Sequence, residues 1–170
     1  MGEYLVIDNN VIVNIIVCES DSVAAIFGAV PAYAGAMIGD KYIHVATSEE
    51  KERMIAQSKD ALDSYLASHP ILWTDGEYYA ITKEKQNQLT SKIMAATMAQ
   101  TMNIQYDLKW NSTGEKCTVW TLSDLSALAF AIDKRVTALV EYQQAKEIEI
   151  KEATTTEELD AIEVDYDTVQ

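Results

Sequence analysis

The chain has few of the residues that build disulfide frameworks, metal centres and phosphate-binding loops. Its 170 residues include two cysteines, two histidines and six glycines. Two cysteines are too few for a disulfide scaffold, and no zinc-ligand spacing joins them to the histidines. No G-x-G-x-x-G or P-loop pattern occurs in the sequence. We therefore expect no cofactor and no metal site, and we expect Cys18 and Cys117 to be small, reduced core or sheet residues.

Long apolar runs are also missing. No stretch approaches the roughly 18 apolar residues that a membrane helix requires. The first apolar segment, Val11 to Val17, is short and is interrupted by Asn14, and no targeting segment is visible. These features predict a soluble protein of the cytosol that does not bind a membrane.

Basic residues are scarce, with 13 lysines and arginines against 27 acids and a formal charge of −14. The imbalance is concentrated at the C-terminus, where residues 141–170 hold ten acids and two bases. Such a surface repels phosphate backbones, so nucleic acid is not an expected partner. The acidic C-terminus is either a solubilising tail or a functional segment that docks on a basic surface or mimics one side of an assembly interface.

The remaining composition is that of a globular protein, since 48% of the residues are hydrophobic and 24% are charged. Residues 1–46 form a predicted β-rich hairpin module. Strands at 4–7 and 11–17 flank a turn at Asn9 and Asn10, because asparagine tolerates positive φ. A short helix capped by Ser20 or Asp21 follows, and residues 41–45 are predicted to be a third strand.

Residues 47–69 are predicted to be a helical connector that ends before Pro70. Beyond it, residues 70–162 are predicted to form a second α+β domain. It contains a hairpin at 72–81 with an Asp-Gly turn, a helix at 82–102, a hairpin at 104–120 and a helix from about 122 to 153. Thr155 opens another short helix with a capping box. Residues 163–170 are expected to be an acidic flexible tail.

The predicted fold class is therefore α+β: an N-terminal β-hairpin module, a helical connector, and a C-terminal module of β-hairpins with a long antiparallel helix pair. The last long helix exceeds its predicted partner by about ten residues, or roughly 15 Å. Part of its apolar face, which includes Leu139 and Tyr142, is expected to contact a partner protein or a second copy of this chain.

No residue pattern indicates catalysis. His44 lies in a predicted strand and His69 at a helix end, and neither shares a local motif with a nucleophile. The sequence therefore predicts a binding protein and not an enzyme. Tryptophan and tyrosine are common in protein interfaces. Trp73 and Trp120 are expected to be sheet core, while Trp110 is equally compatible with core and partner contact. The predicted partner-binding residues are Trp110, Tyr106, Leu139 and Tyr142.

The segment from Leu72 to Leu159 resembles a known family, an uncharacterised domain that recurs in tailed-phage and prophage proteins. The domain is encoded beside tail-fibre genes or fused to fibre proteins. Its pattern begins with a Trp or Phe before a turn, followed by a Tyr and a Thr. It continues with a helix that contains Gln and Leu, a tryptophan strand, a Thr-Leu-x-x-Leu helix start and a closing Ala-x-Thr-x-Glu-Glu-Leu. Matching positions here are Thr82, Gln86, Leu89, Trp110, Thr121, Leu122, Leu125, Thr154, Glu158 and Leu159.

The resemblance implies a bacteriophage tail-associated protein whose partner is a tail-fibre or baseplate protein. One implied role is a tail-fibre assembly chaperone, which acts in the host cytoplasm during assembly. The other is a minor structural component of the fibre, baseplate or tail tip, located in the virion tail. The family pattern supplies no catalytic residues.

Overall fold

The computed structural model describes residues 1–169 and has the α+β fold that the sequence predicts. Its residues divide into two compact units. The N-terminal unit consists of Met1–Ser48 together with Ala153–Ala161. The C-terminal unit consists of Glu49–Glu152 and the segment that begins at Ile162. Residues 153–161, predicted to belong to the second domain, are therefore part of the N-terminal unit.

The N-terminal unit is built on a three-stranded antiparallel sheet with the order β2-β1-β3. Strands β1 (Gly2–Asp8) and β2 (Val11–Cys18) form the predicted hairpin. Its turn residues Asn9 and Asn10 have φ of 49° and 63°, as a type I′ turn requires. Helix α1 (Asp21–Ile26) begins after Ser20, whose hydroxyl accepts a hydrogen bond from the Val23 amide. A small core forms around Tyr4, Cys18, Ala24 and Ala29.

The prediction of a third strand at residues 41–45 was wrong. The third strand, β3, is Ala29–Pro31, which pairs with β1. Residues 41–45 make only two isolated bridges, from Lys41 to Val11 and from Val45 to Thr155. A continuous ladder cannot form there, because the two ends of the segment pair with different parts of the chain.

Helix α5 (Thr156–Asp160) starts with the predicted capping box. The Glu158 amide donates to the Thr155 hydroxyl (3.1 Å), and the Glu158 carboxylate accepts from the Thr155 amide (3.3 Å). The Thr156 amide also donates to the His44 carbonyl (2.8 Å). These bonds, with the bridge to Val45, explain why this segment belongs to the N-terminal unit.

The C-terminal unit contains three long helices: α2 (Ser48–Ser68), α3 (Lys83–Thr101) and α4 (Leu122–Glu152). Thr82 is the N-cap of α3, and its hydroxyl accepts from the Lys85 amide (3.2 Å). The Thr121 hydroxyl accepts from the Asp124 amide at the start of α4 (3.1 Å). Both helix starts therefore lie where the sequence predicts them.

Helix α2 covers the part of α4 that exceeds α3 in length. Gln143 of α4 donates to the Ser58 hydroxyl of α2 (3.1 Å), and Lys59 forms an ion pair with Glu147 (3.0 Å). Farther along, Arg135 donates to the Tyr65 hydroxyl (3.1 Å). Because residue numbers rise along α2 as they fall along α4, the helices are antiparallel. The apolar length that suggested self-association is thus covered within the chain.

The predicted connector is therefore a structural part of the C-terminal core. Its Leu62 and Leu66 are buried in the same cluster as Leu128 and Ile132 of α4. Hydrogen bonds from Lys151, Lys59 and Gln143 lower the pKa of Glu147 to about 2.

Two short hairpins complete the C-terminal unit. The first joins β4 (Ile71–Leu72) and β5 (Tyr78–Tyr79), and the second joins β6 (Lys109–Trp110) and β7 (Thr118–Val119). Both hairpins were predicted, but each strand has only two residues. The Thr113 amide donates to the Tyr78 carbonyl (2.7 Å), which ties the loop of the second hairpin to the first.

The C-terminal segment, expected to be a flexible tail, contains a 3-10 turn at Tyr166–Thr168. Tyr166 is buried, and its hydroxyl donates to the Ser58 carbonyl of α2 (2.7 Å). The negative charge of this segment predicts solvation, but the buried Tyr166 and the packing of Val164 and Val169 on the main core hold it against the C-terminal unit. Gln170, which the predicted tail includes, lies outside the described residues.

Candidate protein-binding surface

Two of the four predicted partner-binding residues are core residues. Trp110 is 5% exposed and Leu139 is 0% exposed, and both belong to the main hydrophobic cluster. Neither side chain is available to a partner, so both assignments were wrong. Trp110 lies on β6 with its indole directed into the core, and Leu139 lies on the face of α4 that packs within the C-terminal unit.

Tyr142 has a structural contact of its own. Its ring is partly buried and meets the ring of Tyr166 edge to face at 5.5 Å. Its hydroxyl accepts a hydrogen bond from the Asp165 amide (3.1 Å). The side chain therefore holds the C-terminal segment against α4, and it lies in a different part of the unit from Tyr106.

Tyr106 is 39% exposed and remains a candidate for partner contact. With Trp110 it lines a cleft of about 850 Å³ between the start of α3 and the second hairpin. We call this the basic cleft, because Lys85, Lys92 and Lys109 line it against a single carboxylate, Glu84. The Lys85 ammonium lies 5.3 Å from the centre of the Trp110 ring, within cation–π range.

Cys117 also lines the basic cleft. It is exposed and precedes β7, so its assignment as a core or sheet residue was wrong. Cys18, by contrast, is buried in β2.

A row of exposed methionines on α3 leads towards Tyr106. Met94, Met98 and Met102 follow one another at intervals of four residues and are 60%, 59% and 62% exposed. The helix then ends in a Schellman-type turn, in which Asn103 has φ of 54° and the Ile104 amide donates to the Ala99 carbonyl (2.8 Å). Exposed Ile104 and Tyr106 follow that turn. We call these five residues the apolar surface.

A second cleft, of about 930 Å³, is lined by both hairpins. We call it the tryptophan cleft, because Trp73 and Trp120 line it together with Tyr79. Four carboxylates and one lysine also line it: Asp75, Glu77, Glu115, Asp124 and Lys116. Its charge is therefore opposite to that of the basic cleft.

Hydrogen bonds fix several side chains of the tryptophan cleft. The Tyr79 hydroxyl donates to Asp75 (2.8 Å), and the Trp120 indole donates to the Thr118 hydroxyl (3.2 Å). The rings of Tyr79 and Trp120 meet edge to face at 5.6 Å. Burial, followed by the bond to Asp75, raises the pKa of Tyr79 well above its ordinary value. The cleft thus presents a fixed aromatic wall beside carboxylates.

The charge asymmetry is visible in the sequence once the structure points to it. From Lys83 to Lys116 the chain has five lysines and three acids, while the rest of the chain has eight bases and 24 acids. The spacing of Met94, Met98 and Met102 was visible as well. The methionine row was missed because methionine at helical spacing usually marks a core face. The local excess of lysine was missed because residues 1–140 taken together are acidic.

Within residues 1–169, no three histidine, cysteine or acidic side chains lie close enough together to hold a metal ion. Over the same described range, no helix combines the length and apolar character needed to cross a membrane.

Comparison with known proteins identifies a family but no characterised relative. No curated protein and no solved structure matches the chain. A family model described as a domain of unknown function, DUF4376, matches residues 49–164. The match covers more than half of the sequence, including α2, α3, α4, both hairpins and both clefts. The chain therefore belongs to the DUF4376 family.

Proposed function

We propose that this chain is a bacteriophage tail-associated protein that binds a tail-fibre or baseplate protein, acting as a tail-fibre assembly chaperone. The tail assignment rests on the resemblance of residues 72–159 to a domain of tailed-phage proteins. The binding assignment rests on one observation, the apolar surface formed by the methionine row, Ile104 and Tyr106.

The apolar surface has the character of an interface. Five large apolar side chains lie within 13 residues of sequence, and each remains substantially exposed. Monomeric proteins rarely expose contiguous apolar patches larger than a few hundred Å², and patches above that size often mark protein interaction sites. Methionine is flexible and polarisable, so a methionine-rich surface adapts to the shape of its partner.

The neighbouring charges indicate the partner's chemistry. Lys85, Lys92 and Lys109 line the basic cleft next to Tyr106. A segment that places apolar side chains on the methionine row and carboxylates near these lysines would match both features. We therefore propose an acidic, amphipathic segment of the fibre or baseplate protein as the occupant.

The test is co-expression of the full chain with a tail-fibre protein of the same phage, followed by size exclusion with light scattering. We expect a complex of defined stoichiometry. The double variant Met98→Glu/Met102→Glu should lose the complex, because it places charge in the apolar contact. The control Phe130→Glu changes a residue that is 76% exposed on α4 and should keep it.

Charge-reversing substitutions test the basic cleft separately from the apolar surface. Lys92→Glu/Lys109→Glu should weaken the complex and flatten its dependence on salt, whereas Lys41→Glu/Lys134→Glu alters the same total charge elsewhere. Equal complex formation by all of these variants would refute the proposed surface. Light scattering of the chain alone also measures whether it self-associates.

A structural role in the virion is the second candidate, favoured by the division of the chain into two compact units, as in an adaptor. Quantitative mass spectrometry of purified phage distinguishes the roles. A chaperone acts in the host cytoplasm and should be absent or substoichiometric in particles, whereas a component should have a fixed copy number. Either role is binding without catalysis, and a zymogram that shows clearing of host cell wall would contradict both.

A further inference from the structure

The tryptophan cleft has the composition of a site for a cationic group. Trp73 and Trp120 provide indole rings, and Asp75, Glu77 and Glu115 provide carboxylates. Indole has the most favourable ring face for a cation, and a planar guanidinium also stacks on it. From these features we propose that the tryptophan cleft binds an arginine side chain presented by a partner protein.

The local backbone explains how the cleft is assembled. The first hairpin closes through bonds from the Trp73 amide to the Glu77 carbonyl (2.9 Å) and from the Gly76 amide to the Trp73 carbonyl (3.0 Å). The Trp120 amide donates to the Leu108 carbonyl (2.9 Å) in the second hairpin. Each tryptophan is therefore held at the end of a hydrogen-bonded hairpin, and the cleft is formed before a ligand arrives.

The orientation of the polar groups favours a donor ligand. Asp75 already accepts from the Tyr79 hydroxyl and from the Glu77 amide (3.0 Å), so its position is fixed. A carboxylate has about four acceptor sites, so oxygen lone pairs remain for a guanidinium. Arginine is suited to this arrangement because its five N–H donors form a rigid fork that pairs with carboxylates while its plane covers an aromatic ring.

The ligand chemistry can be tested with short peptides and the full-length chain. The probe is an acetylated, amidated Gly-Arg-Gly peptide, and the readout is the three indole N–H signals in a ¹H–¹⁵N NMR spectrum. The substitutions Trp73→Phe and Trp120→Phe assign those signals. We expect the arginine peptide to shift the Trp73 and Trp120 signals with a dissociation constant on the order of 1 mM, while the buried Trp110 signal stays in place.

Matched ligands and variants test the charge. A citrulline peptide has the same shape without the charge and should bind at least about fivefold more weakly. Glu77→Gln and Glu115→Gln should each weaken the arginine peptide by about twofold to fivefold, and raised salt should do the same. Glu141→Gln, an exposed change on α4, should leave its affinity unaltered.

Several results would overturn the proposal. The citrulline peptide could bind as well as the arginine peptide, or a neutral disaccharide could shift the same two indole signals at lower concentration. Shifts confined to Trp110 would place the ligand elsewhere. This inference concerns a cleft separate from the apolar surface, so a failed complex with a fibre protein leaves it standing, and an absent arginine shift leaves the fibre proposal standing.

Discussion

The basic cleft and the tryptophan cleft share one hairpin but differ in charge and in the burial of their aromatic rings. The basic cleft has Trp110 as a buried wall and lysines around it, while the tryptophan cleft has partly buried Trp73 and Trp120 among carboxylates. Neighbouring side chains along a strand point to opposite faces, so a two-residue strand can supply a core residue and a surface residue. One small hairpin therefore serves two surfaces of opposite charge.

The two clefts also show that some aromatic side chains stabilise the fold while others are accessible for recognition. Lys109 and Trp110 are adjacent in β6, yet Lys109 is exposed and Trp110 is 5% exposed. An aromatic side chain in a hairpin is thus a recognition residue only if packing leaves part of its ring accessible. The aromatic residues that meet this criterion, and that should be tested for partner contact, are Trp73, Tyr78, Tyr106 and Trp120.

The largest expected effect comes from the wall of the basic cleft. Trp110→Ala removes a buried indole from the main core and should lower the free energy of unfolding by about 3–5 kcal/mol. Tyr106→Ala, at the exposed edge of the same cleft, should change it by no more than about 0.5 kcal/mol. Guanidinium denaturation followed by circular dichroism measures both. Similar losses of stability in the two variants would contradict the placement of Trp110 in the core and of Tyr106 at the exposed edge of the cleft.

Trp110 was among the predicted partner-binding residues, and its burial changes the expected result of this substitution from lost binding to lost stability. In the sequence Trp110 and Trp120 occupy similar places, since each ends a predicted strand of the same hairpin. Local pattern cannot show which ring faces the core, because that depends on how the hairpin sits on α3 and α4. The notable result is that the structure buries Trp110 and leaves the other two tryptophans partly open.

An effect of intermediate size is expected at the tryptophan cleft, where Tyr79 should make the free energy of unfolding depend on pH. Tyr79 keeps its proton in the folded chain at pH values where an unfolded tyrosine, with a pKa of about 10, has lost it. The unfolded state therefore binds fewer protons, and the free energy of unfolding falls as pH rises above 10. Tyr79→Phe should cost about 1 kcal/mol at pH 7, through its lost hydrogen bond, and should make this fall less steep.

Urea denaturation at pH 7, 10 and 11 measures that slope. Asp75→Asn provides the matched control, because it removes the charge beside Tyr79 while the ring stays buried. Its slope should lie between those of the unaltered chain and Tyr79→Phe. Some slope should remain in all three proteins, since burial also raises the pKa of Tyr166 to about 12. A slope unchanged by Tyr79→Phe would contradict the attribution of this pH dependence to Tyr79.

Much of the fold was predictable because local chemistry determined it. Asn9 and Asn10 specify the first turn, Thr82 and Thr155 mark helix starts, and the apolar stripe of α4 marks its core face. The errors arose where distant segments meet. The strand at Ala29–Pro31 has no alternating pattern, and its pairing depends on the free edge of β1. The cover of α4 comes from α2, about 80 residues earlier in the chain, as the bond between Ser58 and Gln143 shows.

The smallest effects on stability should come from reversing one charge at each cleft. These substitutions should differ in which ligand they weaken. Lys92→Glu and Glu115→Lys each alter an exposed side chain and should change the free energy of unfolding by no more than about 0.5 kcal/mol. Glu115→Lys should weaken the arginine peptide and leave the fibre complex intact, while Lys92→Glu should do the reverse. Peptide titration by NMR and complex formation by size exclusion measure the two responses in parallel. If either substitution weakened both ligands equally, the clefts would be acting through the overall charge of the protein, and their opposite local charges would have no separate role.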